Sequence, residues 1–97
     1  MSKLVRDKIP EIIEKNEGKK PAIHIADSNE YWSKLKEKLD EEVKEFIKEP
    51  SQEELADILE IVYAIADYRK FNKTELENLR QKKAAQRGAF SKRIILE

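Results

Sequence analysis

The chain has 97 residues, 39% hydrophobic and 41% charged, with two glycines, three prolines and no cysteine. That composition excludes a disulfide framework and a thiolate metal site, and it predicts one mainly α domain over residues 1–97, small enough that sharing a core with a second copy is a live option. A formal net charge of zero conceals segregation, because residues 1–36 carry eight basic and six acidic side chains, residues 37–67 three and eleven, and residues 68–97 nine and three. An acidic middle beside two basic flanks suits a polyanion held together with a cation; it suits equally blocks that neutralise one another on the surface. No apolar run approaches the roughly 20 residues of a membrane span, and the opening MSKLVRDKIPEII lacks the apolar core of a secretion signal. A cytoplasmic location without membrane attachment is expected.

In chain order, the first helix is predicted from about Asp7 to Asn16, with Pro10 tolerated in its first turn and Gly18 supplying a left-handed exit. AIHIA at 22–26 follows, where Ile23 and Ile25 alternate with His24 as in a short strand. His24 has no evident partner and reads as structural or surface. Asp27 or Ser28 can cap the second helix, with Glu30 as reciprocal partner to Asp27, and the helix continues to about Glu49 before Pro50 stops it. Its apolar stripe is Trp32, Leu35, Leu39, Val43 and Phe46; Trp32 in that stripe reads as core rather than as a platform for a base.

Ser51 with Glu54 in the capping-box position opens a third helix through Ile58, Leu59, Val62 and Ile65, apolar over much of its circumference and expected to be the most buried. Thr74 with Glu77 announces a fourth, ending at Gly88, and RIIL at 93–96 reads as a strand able to pair with 22–26. The expected architecture is an antiparallel bundle of about four helices with a short two-stranded β ribbon.

EEVKEFIKEPSQEELAD, residues 41–57, concentrates seven acidic side chains in seventeen positions. At roughly 100° per residue Glu42 falls only about 60° from Leu39 at the centre of the second helix's stripe, with Glu45 one step further round. In the third helix Glu54 shares a sector with Ile58, Ile61 and Ile65, and Asp57 borders it, while Glu41, Glu49 and Glu53 face water. Antiparallel packing would bring Glu42, Glu45, Glu54 and Asp57 together, and desolvated carboxylates at close range are unfavourable unless they protonate or bind a cation. A hard divalent ion, Mg²⁺ or Mn²⁺, is the natural solution. The bland alternative keeps Glu54 as a helix cap and leaves the others as solvated partners of lysines.

EExxE at 41–45 followed by ExxD at 54–57 resembles the MazG-like all-α nucleoside triphosphate pyrophosphohydrolases, a superfamily that includes phosphoribosyl-ATP pyrophosphohydrolase and dimeric dUTPases. KLVRDKIPEI at 3–12, the run from Tyr31, ELADILEIVYAIA at 54–66 and KKAAQRGAFSKRIIL at 82–96 extend the likeness over nearly the whole chain. Two departures stand out: the gap between the motifs is short, which demands a tight turn at Pro50, and Ala89 stands where a second glycine is expected.

The resemblance implies a Mg²⁺ site (Mn²⁺ as substitute) formed by Glu42, Glu45, Glu54 and Asp57, with Glu42 and Glu45 catalytic. Water would attack the α-phosphorus of a nucleoside triphosphate, a noncanonical one included, to give monophosphate and pyrophosphate. Phosphate contacts would come from Arg6, Lys8, Lys83, Arg87, Lys92 and Arg93, with Lys3 as a further candidate, and the assembly would be a homodimer or homotetramer. Two rivals remain: phosphoribosyl-ATP pyrophosphohydrolase, and a non-catalytic helical oligomerisation or interaction module. Nucleic-acid binding is not expected, since basic and acidic side chains are equal in number and no recognition motif is present.

Overall fold

The computed structural model describes residues 2–97. Among them stand four helices, α1 (Ile9–Glu17), α2 (Ser28–Lys48), α3 (Gln52–Tyr68) and α4 (Lys73–Arg87), and no β-strand. The chain divides into two compact units, one ending at Ile65 and the other beginning at Ala66, so the boundary falls within α3.

Local chemistry explains most of the boundaries. Pro10 sits in the first turn of α1, where its missing N–H is not needed, and Gly18 leaves the helix at φ +72 while its N–H donates to the Glu14 carbonyl at 2.8 Å. The Asp27 carboxylate accepts from the Glu30 N–H at 2.8 Å to start α2, and Glu49, held extended before Pro50, ends it. Ser51 Oγ accepts from the Glu54 N–H at 3.1 Å to start α3.

The far end of α3 closes without glycine. Phe71 N–H reaches the Ala66 carbonyl at 2.8 Å and Lys70 N–H that of Asp67 at 3.1 Å, the paired bonds of a left-handed exit, and the residue that must turn left-handed is Lys70 at φ +60. Then α4 begins earlier than expected. Its cap is Asn72, whose Oδ1 accepts from the Glu75 N–H at 3.1 Å, and not Thr74; Glu77, the residue assigned to Thr74 as partner, pairs with Arg80 instead. Asparagine caps more strongly than threonine, and the two candidates offer the same spacing to glutamate.

The expected β ribbon between 22–26 and 93–96 is not formed. Neither segment adopts strand conformation, and Ile25 is 88% exposed. A lone two-stranded ribbon is marginal in water without an apolar face to cover it. The alternation at 22–26 serves another purpose: His24 Nε2 lies 2.9 Å from Glu30 Oε1, tying the segment that precedes α2 to its first turn. His24 therefore has a partner that the sequence did not disclose.

Within the first unit the core is narrow. Leu35 is buried to 1% exposure, Trp32, Leu39 and Phe46 are half-buried beside it on the α2 stripe, and Ile61 of α3 is buried. Ile61 and Ala66 of α3 are buried and Ile58, Val62 and Ile65 half-buried, as expected of the most covered helix, but Leu55 and Leu59 remain 52% and 50% exposed. The helix has two apolar sectors. Ile58, Ile61 and Ile65 occupy the covered one, and Leu55 and Leu59 lie roughly 100° away from it.

Candidate metal centre

Glu42 follows Leu35 by seven residues, two helical turns, and so lies on the same inward side of α2. Its burial follows from that phase: the residue is 7% exposed. Removing a carboxylate from water costs several kcal/mol unless it is paired. Lys38, one turn earlier, supplies part of the compensation with Nζ 3.4 Å from Glu42 Oε1 and 4.0 Å from Glu41 Oε1. The other oxygen, Glu42 Oε2, is buried and has no hydrogen-bond partner.

The carboxylates of α3 meet it across the short Glu49–Ser51 connection. Were α2 and α3 collinear, residues 42 and 57 would stand about 22 Å apart at 1.5 Å per residue. Instead, ligand oxygens of Glu42, Glu54 and Asp57 all lie within 4.8 Å of one another, so the chain reverses direction between the two helices. Glu54 serves the helix start through its backbone N–H, which Ser51 caps. Its side chain does something else, since Glu54 Oε2 is buried without a hydrogen-bond partner.

Electrostatics record the crowding. The Glu54 carboxyl is raised above the usual carboxylate range, first because the Glu42 carboxylate stands ready to share its proton, then by removal from water, then by the charges of Glu42, Glu45 and Asp57. Asp57 has found a cation within the chain: Arg6 Nη2 donates to Asp57 Oδ1 at 2.7 Å, across 51 positions of sequence. Both partners are partly exposed, which limits such a pair to about 0.2–1 kcal/mol.

The four acidic residues singled out by helical phase thus separate. Glu42, Glu54 and Asp57 converge, whereas Glu45 is exposed and acts on Glu54 through its charge without joining the group of three. This donor set fits a hard divalent ion. Their ligand oxygens lie within 4.8 Å of one another, so a small inward shift would let one ion meet all three, and carboxylates with open sides leave room for water and phosphate oxygens.

Of the basic candidates, Arg6 is the one placed at the carboxylates. It belongs to the segment before α1, where its carbonyl accepts from the Ile9 N–H at 3.0 Å, and that segment is tied to α2 by Lys34 Nζ donating to the Ser2 carbonyl at 3.0 Å. Arg6 also borders a groove of about 690 Å³ whose lining includes Lys3, Leu4, Ile13, His24 and Lys34. Lys8 is exposed at the start of α1. Lys83, Arg87, Lys92 and Arg93 belong to the second unit and are exposed there, with Arg93 in a left-handed turn at φ +59. Trp32 is half-buried, and Lys36 Nζ sits 5.1 Å from its ring centroid.

Two contributors escaped the sequence reading. Lys38 was detectable through its i,i+4 spacing to Glu42. The pairing of Arg6 with Asp57 left no local signal.

No family model matches the chain, and no solved structure is significantly similar to it. An uncharacterized protein of Mycolicibacterium smegmatis is 51% identical over 45 residues, which is 46% of this chain and 45% of that protein. The chain therefore spans less than half the length of that curated relative.

Proposed function

We propose that Glu42, Glu54 and Asp57 hold a divalent cation, Mg²⁺ or Mn²⁺, and that the protein hydrolyses a nucleoside triphosphate to monophosphate and pyrophosphate. One observation carries this reading: two carboxylate oxygens, Glu42 Oε2 and Glu54 Oε2, are buried without hydrogen-bond partners in a cluster that also includes Asp57. A folded chain rarely tolerates two such groups side by side unless they share a proton or a ligand completes them, and a cation does the latter. The sequence likeness to the MazG-like pyrophosphohydrolases supplies the reaction class.

A divalent cation in that position would supply Lewis-acid polarisation of phosphate oxygens and of water. The chain's own residues have separable tasks. Glu42 is held by its burial on the inward side of α2 and by Lys38, so it provides a rigid anchor. Glu54, whose carboxyl is raised beside Glu42, would be held as carboxylate by such a cation, and Glu45, exposed one turn along α2, would face the water there. Arg6 and the other basic side chains of the N-terminal segment answer the negative charge of the triphosphate. Lys83, Arg87, Lys92 and Arg93 are the remaining phosphate candidates, to be tested one by one.

Incubating the protein with a panel of canonical and modified triphosphates and Mg²⁺ tests the proposal. Release of monophosphate and pyrophosphate in equal amounts is expected, lost in Glu42→Gln and Asp57→Asn variants that keep their helical content. No turnover of any triphosphate would overturn the reaction. Phosphoribosyl-ATP in the panel separates the histidine-synthesis variant of the same chemistry.

Self-association is part of the proposal. Val43, Ile47, Leu55 and Leu59 of the first unit are left exposed, an apolar surface that a second copy would cover.

A further inference from the structure

Resting on the reading of Glu42, Glu54 and Asp57 as a cation site, we infer that Arg6 is an internal competitor for that cation, and that its release from Asp57 couples cation binding to capture of a phosphate anion. The Arg6 guanidinium lies 2.7 Å from Asp57 Oδ1, on one of the three carboxylates that converge. An arginine and a metal ion cannot both neutralise the same carboxylate at full strength, since each charge repels the other at close range.

Three features make Arg6, and not Lys38, the group that yields. Lys38 and Glu42 are both largely buried on α2, held by the helix itself. The Arg6 side chain is 57% exposed and projects from the segment before α1, so it can leave Asp57 without opening the core. It also borders the groove whose lining carries Lys3 and Lys34 beside Asp7 and Glu30, so a displaced guanidinium stays next to two lysines that would receive a phosphate with it. The pairing neutralises part of the cluster's charge in the absence of a cation, and the loaded state hands the planar two-pronged donor to phosphate.

The test is Mn²⁺ binding by calorimetry, on the native chain and on Arg6→Gln, with Lys44→Gln as a control for general charge because Lys44 pairs with Asp40 away from the cluster. Arg6→Gln is expected to bind Mn²⁺ alone roughly fivefold tighter, the size of one exposed ion pair removed from competition. The gain should shrink at high salt, as an exposed ion pair does, and Lys44→Gln should match the native chain. At saturating Mn²⁺ the order should reverse for inorganic pyrophosphate, with the native chain binding roughly fivefold tighter than Arg6→Gln. Arg6→Lys should fall between them, since it keeps the charge and loses the fork.

Equal or weaker Mn²⁺ affinity in Arg6→Gln would overturn the competition while leaving the cation site standing. Equal pyrophosphate affinity would overturn the coupling. Failure of the native chain and of Arg6→Gln alike to bind Mn²⁺ would remove the cation site and this inference with it.

Discussion

Glu42 occupies a place that helical phase reserves for a leucine, two turns after Leu35 and almost as deeply covered. A carboxylate there is unfavourable for folding, so replacing the buried pair together, Lys38→Met with Glu42→Leu, should stabilise the metal-free protein by about 1–4 kcal/mol, read by urea unfolding, while abolishing cation binding. Destabilisation by a similar amount would mean that the Lys38 pair is the structural reason for Glu42. Glu54 adds a pH signature. Its carboxyl is raised in the folded chain, so the folded state holds that proton more tightly than the unfolded state. Its contribution to stability is therefore full below the ordinary glutamate range and is lost as pH rises through the raised folded value. Unfolding titrations across that window should show stability falling with pH, the fall disappearing in Glu54→Gln. Added Mg²⁺ should oppose it, because cation binding displaces the proton and strengthens as pH rises. Glu42 and Glu54 were legible in the sequence because phase on an amphipathic helix is a local property. Arg6 on Asp57 was not, since a contact across 51 positions depends on where the chain before α1 is laid down. The sequence likeness suggested a phosphate contact for Arg6, and the structure places it on a carboxylate.

At the scale of elements, helix ends were readable where a single chemistry was available and unreadable where two competed. Pro10 and Gly18, Asp27 and Glu30, and Ser51 and Glu54 each offered one solution. Before α4, Asn72 with Glu75 and Thr74 with Glu77 share the same spacing, and the better cap won. Asn72→Ala should cost about 1 kcal/mol, measurable as a lower denaturation midpoint, whereas Thr74→Ala should be nearly neutral. The α3 exit carries strain that a single residue can relieve. Lys70 stands at φ +60 where glycine is favoured, so Lys70→Gly should stabilise the chain by about 0.5–1 kcal/mol. A loss instead would assign the Lys70 side chain a role beyond the turn. The β ribbon was misread because five alternating residues are too few to distinguish a strand from an extended tether such as the one His24 and Glu30 fasten.

For the whole molecule, the single chain leaves apolar groups uncovered. Val43 and Ile47 of α2 and Leu55 and Leu59 of α3 are exposed within the first unit, among 15 large hydrophobic side chains with substantial exposure in the described residues. Sedimentation equilibrium should therefore give a mass at least twice the 11.4 kDa of the chain, and Leu59→Lys should lower it. A monomer at all concentrations would contradict that. The segregated charge has a partial structural account: the acidic middle supplies the carboxylate cluster, and the basic N-terminal flank supplies Arg6. The central claim remains that Glu42, Glu54 and Asp57 are built for a cation. Thermal unfolding with and without Mn²⁺ tests it most directly. At a hundredfold excess over Kd, binding to the native state alone stabilises by about 2.7 kcal/mol, which for a chain of this size is a rise of roughly 10–20 °C in Tm. The native protein should show that rise and Glu42→Gln should not; a native Tm indifferent to Mn²⁺ at any concentration would contradict the account.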